Sequence, residues 1–329
     1  MDLCPPSGGP HPSLESTVNL QACLPVNLRG TTTTITRIAA GLSGARVYRV
    51  QCAGQAFVLK VSAAGETSAD WRSKLRLQEL AAGAGLAPRV VHVEEAERAI
   101  LSDFVADRGF RVFYNDPSSR EAALASLGRM LRCMHELPLP PDAPPKDPLA
   151  FLAMLGSTLT GFPLPAFVQG ALERVRAEVP PLRERPLVFS HNDVNPTNLV
   201  YDGEHLLLLD WDTAGPNDLF YDLATLAVFL RMDEDTCRAL LSAYEGAPVA
   251  ELPAGFAYHR RLVAVLCGSA FLHLARQEGH TGASGEETLE GTPALADVYQ
   301  QLRTGALSLA SAAGQWGLGL ALFKTSASL

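Results

Sequence analysis

The chain has 329 residues, 47 % of them apolar and 19 % charged, enough for a sizeable core in one large domain or two moderate ones and against wholesale disorder. Its formal net charge of -8, with no lysine or arginine run, argues against a general nucleic-acid binder.

The first residues, MDLCPPSGGPHPS, lack the basic and apolar regions of a secretion signal. Residues 1–30 carry Pro, Gly and Ser without periodicity and read as a flexible or partly docked arm. From Thr31 the texture becomes β-type: TTTTITRIA is β-branched, GLSGA supplies a turn, and VYRVQC alternates. After a turn at Ala53-Gly54, QAFVLKVS reads as a further strand. Residues 69–84 have helical composition, ended by Gly85 with Pro88 beyond. VVHVEE and AILSDFV read as two more strands, so residues 31–105 are expected to form a small nucleotide-binding sheet lobe with one helix.

Residues 106–329 read as mainly helical. SSREAALASLGRMLRCMHEL opens on a Ser cap and ends before Pro138, and a Pro-rich loop spans 137–148. Further helices are expected near 148–158, 164–178, 218–231, 234–244, 255–278 and 292–312. The longest apolar helical run, Leu262 to Ala275, has about 14 residues, against roughly 20 needed to span a bilayer. Six cysteines, at 4, 23, 52, 133, 237 and 267, form no CxxC pair and no zinc spacing. They read as free thiols, and the protein as cytoplasmic with no membrane partner. The expected class is α+β: a small antiparallel sheet lobe and a larger helical lobe, with a ligand cleft between them.

Val188 to Leu230 carries the chemistry: VFSHNDVNPTNLVYDGEHLLLLDWDTAGPNDLFYDLATLAVFL. NLVY and HLLLLD read as a hairpin about Asp202-Gly203. Folded about 203 and 204, it sets Asn198 roughly opposite Asp210, an amide beside a carboxylate that can hold a hard cation through oxygens. Asp193 sits on the loop just before. A metal on the phosphates and a carboxylate on the acceptor hydroxyl are the parts phosphoryl transfer needs. The bland alternative, polar residues capping a hairpin and two helices, has to bury several of them unpaired.

HNDVNPTN resembles the HxDxxxxN catalytic loop of aminoglycoside phosphotransferases and of choline, ethanolamine and thiamine kinases. LLDWDTAGPNDLFYDLA is similar to their following segment, IDWEYAG…P…DLA. The resemblance spans roughly residues 35–275 and implies a two-lobed protein-kinase-like fold that uses ATP and Mg²⁺. It implies Asp193 as catalytic base, with His191 supporting the loop and Asp222 bracing it from the next helix. It also implies Asn198 and Asp210 as Mg²⁺ ligands, with Asp212 assisting the metal or facing substrate. Before Asp193 stands Asn192, where a protein kinase has Arg, and no APE-type segment follows Asp210.

At the nucleotide end, the turn holding Ser43 and Gly44 resembles the family's phosphate-covering loop, and Lys60 closes an apolar strand where phosphates neutralise it. Its usual glutamate partner is Glu79, shifted from the expected position, with Glu66 or Asp70 as substitutes. Asp103, Phe104 and Val105 fall at the join between lobes, where main-chain groups usually meet the base. The partner is a small-molecule hydroxyl acceptor, and the protein a monomer or homodimer. An amino alcohol (choline-, ethanolamine- or thiamine-like) is favoured, for which Trp211, Tyr221, Phe271, Tyr299 and Trp316 are candidate aromatic contacts. An aminoglycoside would instead use Asp218, Glu234, Asp235, Glu278, Glu286 and Glu287, and a neutral sugar His273 and Arg276. The reading from another class is a catalytically silent, nucleotide-binding pseudokinase.

Overall fold

The computed structural model describes residues 19–38, 45–63, 65–141 and 143–329. Nine strands and ten α-helices are present among them. The chain divides into two compact units. One takes in the chain up to Trp71 together with Val90–Phe104, the other Arg72–Arg89 together with Val105–Leu329.

The first unit is built on an antiparallel sheet of β1 (Thr34–Ile38), β2 (Arg46–Cys52), β3 (Gln55–Val61), β4 (Val90–Glu94) and β5 (Ala99–Asp103), in the order β1-β2-β3-β5-β4. Ala53 and Gly54, both at positive φ (49° and 79°), make the tight turn that joins β2 to β3. Strand alternation sends Phe57, Leu59 and Val61 into a core with Val50 and Leu101, which Cys23, Leu24 and Leu28 of the preceding segment complete. Val58 and Lys60 therefore stand on the opposite face. The first helix, α1 (Ser68–Gly83), starts on a reciprocal cap. The Thr67 hydroxyl accepts from the Asp70 N–H (3.1 Å) and donates to the Asp70 carboxylate (2.7 Å).

The second unit continues with α2 (Phe110–Asn115), α3 (Arg120–His135), α4 (Pro148–Thr158) and α5 (Ala166–Ala177). Four short strands follow: β6 (Val188–Ser190), β7 (Leu199–Tyr201), β8 (Leu206–Leu208) and β9 (Gly215–Asn217). The rest is α6 (Leu219–Phe229), α7 (Glu234–Glu245), α8 (Ala254–Gln277), α9 (Leu295–Thr304) and α10 (Ala312–Ala327). One large core gathers α3, α6 and α7, a second lies against α4 and α5, and α8 and α10 supply side chains to both. Among the described residues no helix is long and apolar enough to cross a membrane. Cys23, Cys52, Cys133, Cys237 and Cys267 are free thiols.

Two elements differ from the sequence reading. The helix expected over 292–312 is shorter, since Gly305 (φ 74°) ends α9 at Thr304, and α10, which the Ser311 hydroxyl starts by accepting from the Gly314 N–H, was not expected. The α2 turn escaped notice because FRVFYN is aromatic and β-branched. Its start is fixed by Asp107, which accepts from the N–H groups of Gly109, Phe110 and Tyr201 at 3.0–3.1 Å.

Gly128 is where α3 and α7 come closest: a Cβ there would lie 2.6 Å from the Ala243 Cβ and 2.7 Å from backbone. Replacing it with Ala gains at most about 1 kcal/mol of helix propensity but forces an overpacking penalty of about 1–3 kcal/mol. Gly128→Ala is expected to lower the denaturation midpoint. An unchanged or higher midpoint in thermal or urea unfolding would count against this close packing.

Candidate active site

Two small ladders frame the segment 191–198. β6 pairs with β9 (Ser190 opposite Gly215) and β7 with β8 (Leu199 opposite Leu208), both antiparallel. The turn closing the second ladder spans 202–205, with the Asp202 carboxylate accepting from the N–H groups of Glu204 (2.8 Å) and His205 (2.7 Å). This turn puts Asn198 opposite Leu209, whose N–H it accepts at 2.8 Å. Asp210 is therefore one residue beyond the position that folding about 203 and 204 gives. It adopts the left-handed region (φ 62°, ψ 72°) and swings the chain into a 3-10 turn at Trp211–Thr213.

Asp193 is held from two sides. One carboxylate oxygen accepts from the Asn195 amide (2.8 Å), and the other from the Asn198 amide (2.8 Å), which also reaches the Asp193 carbonyl (3.0 Å). Burial raises its pKa above the ordinary carboxylate value; the Asn195 and Asn198 hydrogen bonds and His191 oppose this, and the nearby Asp210 charge adds to it. The result is an oriented carboxylate of enhanced basicity.

His191 is wholly buried. Its Nε2–H donates to the Leu209 carbonyl (3.0 Å), its Nδ1 accepts from the Asp193 N–H (3.3 Å), and its ring meets Trp211 edge-on at 4.6 Å. Burial lowers its pKa, and with both nitrogens used on backbone it shapes the loop rather than meeting a substrate.

Asp222, also 0 % exposed, gathers the loop from α6. One oxygen accepts from the Ser190 hydroxyl (2.8 Å), the His191 N–H (2.9 Å) and the His135 imidazole (3.1 Å), and the other from the Asn192 N–H (2.8 Å). Asn192, in the left-handed region (φ 65°), donates to the carbonyls of Thr213 (3.1 Å) and Gly215 (3.2 Å) and accepts from the Asn217 amide (2.6 Å). His135 and Asn217 were missed by sequence reasoning. His135 lies 87 positions from Asp222, and no local spacing signals such a pair.

No set of three His, Cys, Asp or Glu side chains among the described residues encloses a metal. A cation here has to draw most of its ligands from phosphate and water, as Mg²⁺ does. The residues fit such an ion: the Asn198 amide N–H groups are turned to Asp193, which leaves the amide oxygen to ligate, and the Asp210 and Asp212 carboxylates follow in the 3-10 turn after the ladder.

The other expected residues are dispersed. Ser43 and Gly44 lie outside the described residues. In the first unit, Lys60 pairs with Val47 and Ile100, and Asp103 with Phe57. Phe104 donates its N–H to Ala56 (3.1 Å) and carries the Arg49 guanidinium 4.4 Å above its ring. Glu66 accepts from the Ser62 hydroxyl, and Asp70 is the cap described above. In the second unit, Glu79 is exposed on α1 and Val105 is half-buried.

The sequence profile of the phosphotransferase enzyme family matches residues 34–290, and no curated protein gives a match. Among solved structures, a choline/ethanolamine kinase family protein from Mesorhizobium loti is similar at 20 % identity and TM-score 0.59, over 94 % of this chain and 96 % of that one. A choline kinase from Streptococcus pneumoniae aligns at 17 % identity and TM-score 0.58, over 84 % and 93 %. A spectinomycin phosphotransferase in complex with ADP and spectinomycin aligns at 14 % identity and TM-score 0.59, over 92 % and 95 %. At these identities the likeness concerns the fold, which is kinase-like.

Burial alone would push the Asp222 carboxyl up, but the hydrogen bonds it accepts from His135 and Ser190 outweigh it and hold the pKa below the ordinary value. An unfolded Asp titrates near ~3.9. The stabilisation is therefore whole above that value and is lost as pH falls through the lower, folded one. Asp222→Asn is expected to destabilise the protein by about 2–4 kcal/mol at neutral pH, and by less below pH ~4. Unfolding free energies at pH 7 and pH 3.5 test this; an equal deficit at both would remove the ionised carboxylate as the cause.

Proposed function

This chain belongs to the phosphotransferase enzyme family, and we propose that it transfers the γ-phosphoryl group of ATP to the hydroxyl of a small amino-alcohol-type metabolite, with Mg²⁺. The observation that carries this reading is the Asp193 carboxylate, oriented by Asn195 and Asn198 beside Asp210. Asp193 takes the acceptor proton as the new O–P bond forms and the bond from the γ-phosphorus to the bridging oxygen breaks, releasing ADP. Asn198, Asp210 and Asp212 would hold Mg²⁺, which would supply charge neutralisation at the phosphates. In this reading Lys60, Ser43 and Gly44 serve the phosphates, and main-chain groups of the stretch from Asp103 to Val105 serve the base.

The choice of acceptor rests on what surrounds Asp193. Burial first, and the Asp193 charge second, push the Cys267 thiol up to about 12; burial raises the Tyr221 phenol, with Cys267, Asp222 and then Asp193 adding to it. Both therefore stay neutral within reach of that carboxylate, a setting that favours a cation with an aromatic face beside it. Trp211 and Trp316 are core residues instead, the first bonded to the Leu208 carbonyl and the second stacked on His280 at 4.3 Å. Four of the six carboxylates considered for a polycationic antibiotic are engaged elsewhere: Asp218 caps α6, Glu234 and Asp235 pair with Arg238, and Glu287 closes a loop at Ser284. Arg276, offered for a sugar, donates to the carbonyls of Thr158 and Thr160.

ADP release with ATP and Mg²⁺ across choline, ethanolamine, thiamine, aminoglycosides and simple sugars should single out an amino alcohol. An aminoglycoside or sugar as best acceptor would overturn that choice, and nucleotide binding without turnover on any acceptor would favour the silent binding protein. Asp193→Ala should lower kcat by about 10²–10⁴-fold, the contribution of a general base, with nucleotide affinity retained; undiminished turnover removes Asp193 as base. Asp210→Gly suits the left-handed backbone, so its stability should stay within about 1 kcal/mol of the parent while Mg²⁺-dependent nucleotide binding is lost. Intact Mg²⁺ dependence in that variant excludes Asp210 as a ligand.

A further inference from the structure

Behind Asp222, on the side away from the loop, the hydrogen bonds continue into the core. The His135 Nε2 meets Asp222 at 3.1 Å, and its Nδ1 meets the Tyr244 hydroxyl at 2.9 Å. The two rings stand edge to face at 5.4 Å. His135 is 7 % exposed and Tyr244 6 %, so neither is served by bulk water. The three residues come from α3, α6 and α7, whose packing holds them in line.

Only one protonation pattern gives every group a partner. Asp222 collects donated hydrogens, so His135 presents an Nε2–H to it. Burial pushes the Tyr244 phenol up to about 12, with Glu245 adding to this and Arg185 and Arg132 opposing it. The phenol therefore keeps its proton and donates it to Nδ1. An imidazolium would fill Nδ1 with its own hydrogen and leave the phenol proton without an acceptor in a buried site, which is unfavourable. The charged groups near this chain are Asp222 on α6, Glu245 at the end of α7, Arg132 on α3 and Arg185 before β6, which pairs with Glu245 at 2.9 Å. His191, the other imidazole near Asp222, faces the Leu209 carbonyl.

We propose that Tyr244 is a positioning residue for the transfer: it fixes His135 as the neutral Nε2–H tautomer and so sets the Asp222 carboxylate that holds the catalytic loop. The link to transfer rests on the kinase reading above; the link to the loop does not. Without the phenol, the Nδ1 of His135 is orphaned. The ring then turns or takes up a proton, and either change draws Asp222 away from the N–H groups of His191 and Asn192.

The experiment is NMR of the full chain with and without Tyr244→Phe, which keeps the ring. In the parent protein the neutral His135 imidazole should carry its hydrogen on Nε2; an Nδ1–H tautomer overturns the proposal whether or not the variant folds. In Tyr244→Phe that signature should change. Amide-exchange protection of His191 and Asn192 should fall about tenfold, the effect of losing one buried hydrogen bond, while β7 and β8 keep theirs. Uniform loss across the second unit would mean a merely structural role, and unchanged loop amides would refute the coupling. A His135→Gln background decides the route, since Tyr244→Phe should then add nothing; the same loss on both backgrounds overturns relay through His135. Should no acceptor support turnover, these spectra still decide the loop coupling, so failure of the kinase reading stays distinct. With an acceptor in hand, kcat should fall about tenfold with the nucleotide KM unchanged, and an unchanged kcat overturns the role in transfer.

Discussion

The site depends on one buried carboxylate that attracts more hydrogens than it has neighbours in sequence. Asp222 draws the Ser190 hydroxyl and two consecutive backbone N–H groups toward α6, and His135 approaches it from behind. An isolated carboxylate at zero exposure is strongly disfavoured, whereas one surrounded by donors is a rigid anchor. The segment from His191 to Asn198 has no regular structure of its own. Its shape is borrowed from that anchor on one side and from Asn192, tied to Thr213, Gly215 and Asn217, on the other. Asp193 then has its orientation imposed by groups that never meet the substrate, the arrangement in which a base needs no reorganisation as it acts.

Two non-glycine residues in left-handed backbone, Asn192 and Asp210, flank this base in space. Asn and Asp tolerate that conformation better than other L residues, though not without strain. The strain has a local purpose. Asn192 turns the chain so that successive N–H groups face Asp222 while the next side chain points away, and Asp210 turns the chain just past the β7–β8 ladder into the 3-10 turn. The same two positions show how stability and chemistry compete over short stretches of chain.

Much of the fold was legible because its signals are local. The β2–β3 hairpin announced itself through alternation and Ala53-Gly54, α3 through its composition and the following Pro138, and the catalytic segment through polar residues set between apolar runs. What escaped was non-local or contradictory. α2 is made of strand-like residues that helix packing and the Asp107 cap override. α10 was missed, although Gly305 marks the end of α9 and Ser311 the start of a new helix. The turn about 203 and 204, which Asp202 sets, was legible and pairs Asn198 with Leu209; the expectation that put Asp210 there was one residue out. His135 and Tyr244 are 109 positions apart, and nothing in a linear pattern joins them.

α10 lies beyond the 34–290 segment that carries the family pattern, yet Leu318, Ala321 and Leu322 enter one core while Trp316, Leu320 and Phe323 enter the other. During synthesis the catalytic segment leaves the ribosome well before this helix. Until residues 312–327 emerge, both cores stand open along α8, with apolar surface exposed to solvent and to other nascent chains. The small sheet unit draws its core from residues no later than Leu101, so it can close first, as domains do when they fold in order of appearance. The second unit has to wait for its final helix. The chain therefore reaches maturity in two unequal stages, and the later one is the vulnerable interval in which a chaperone would have something to hold.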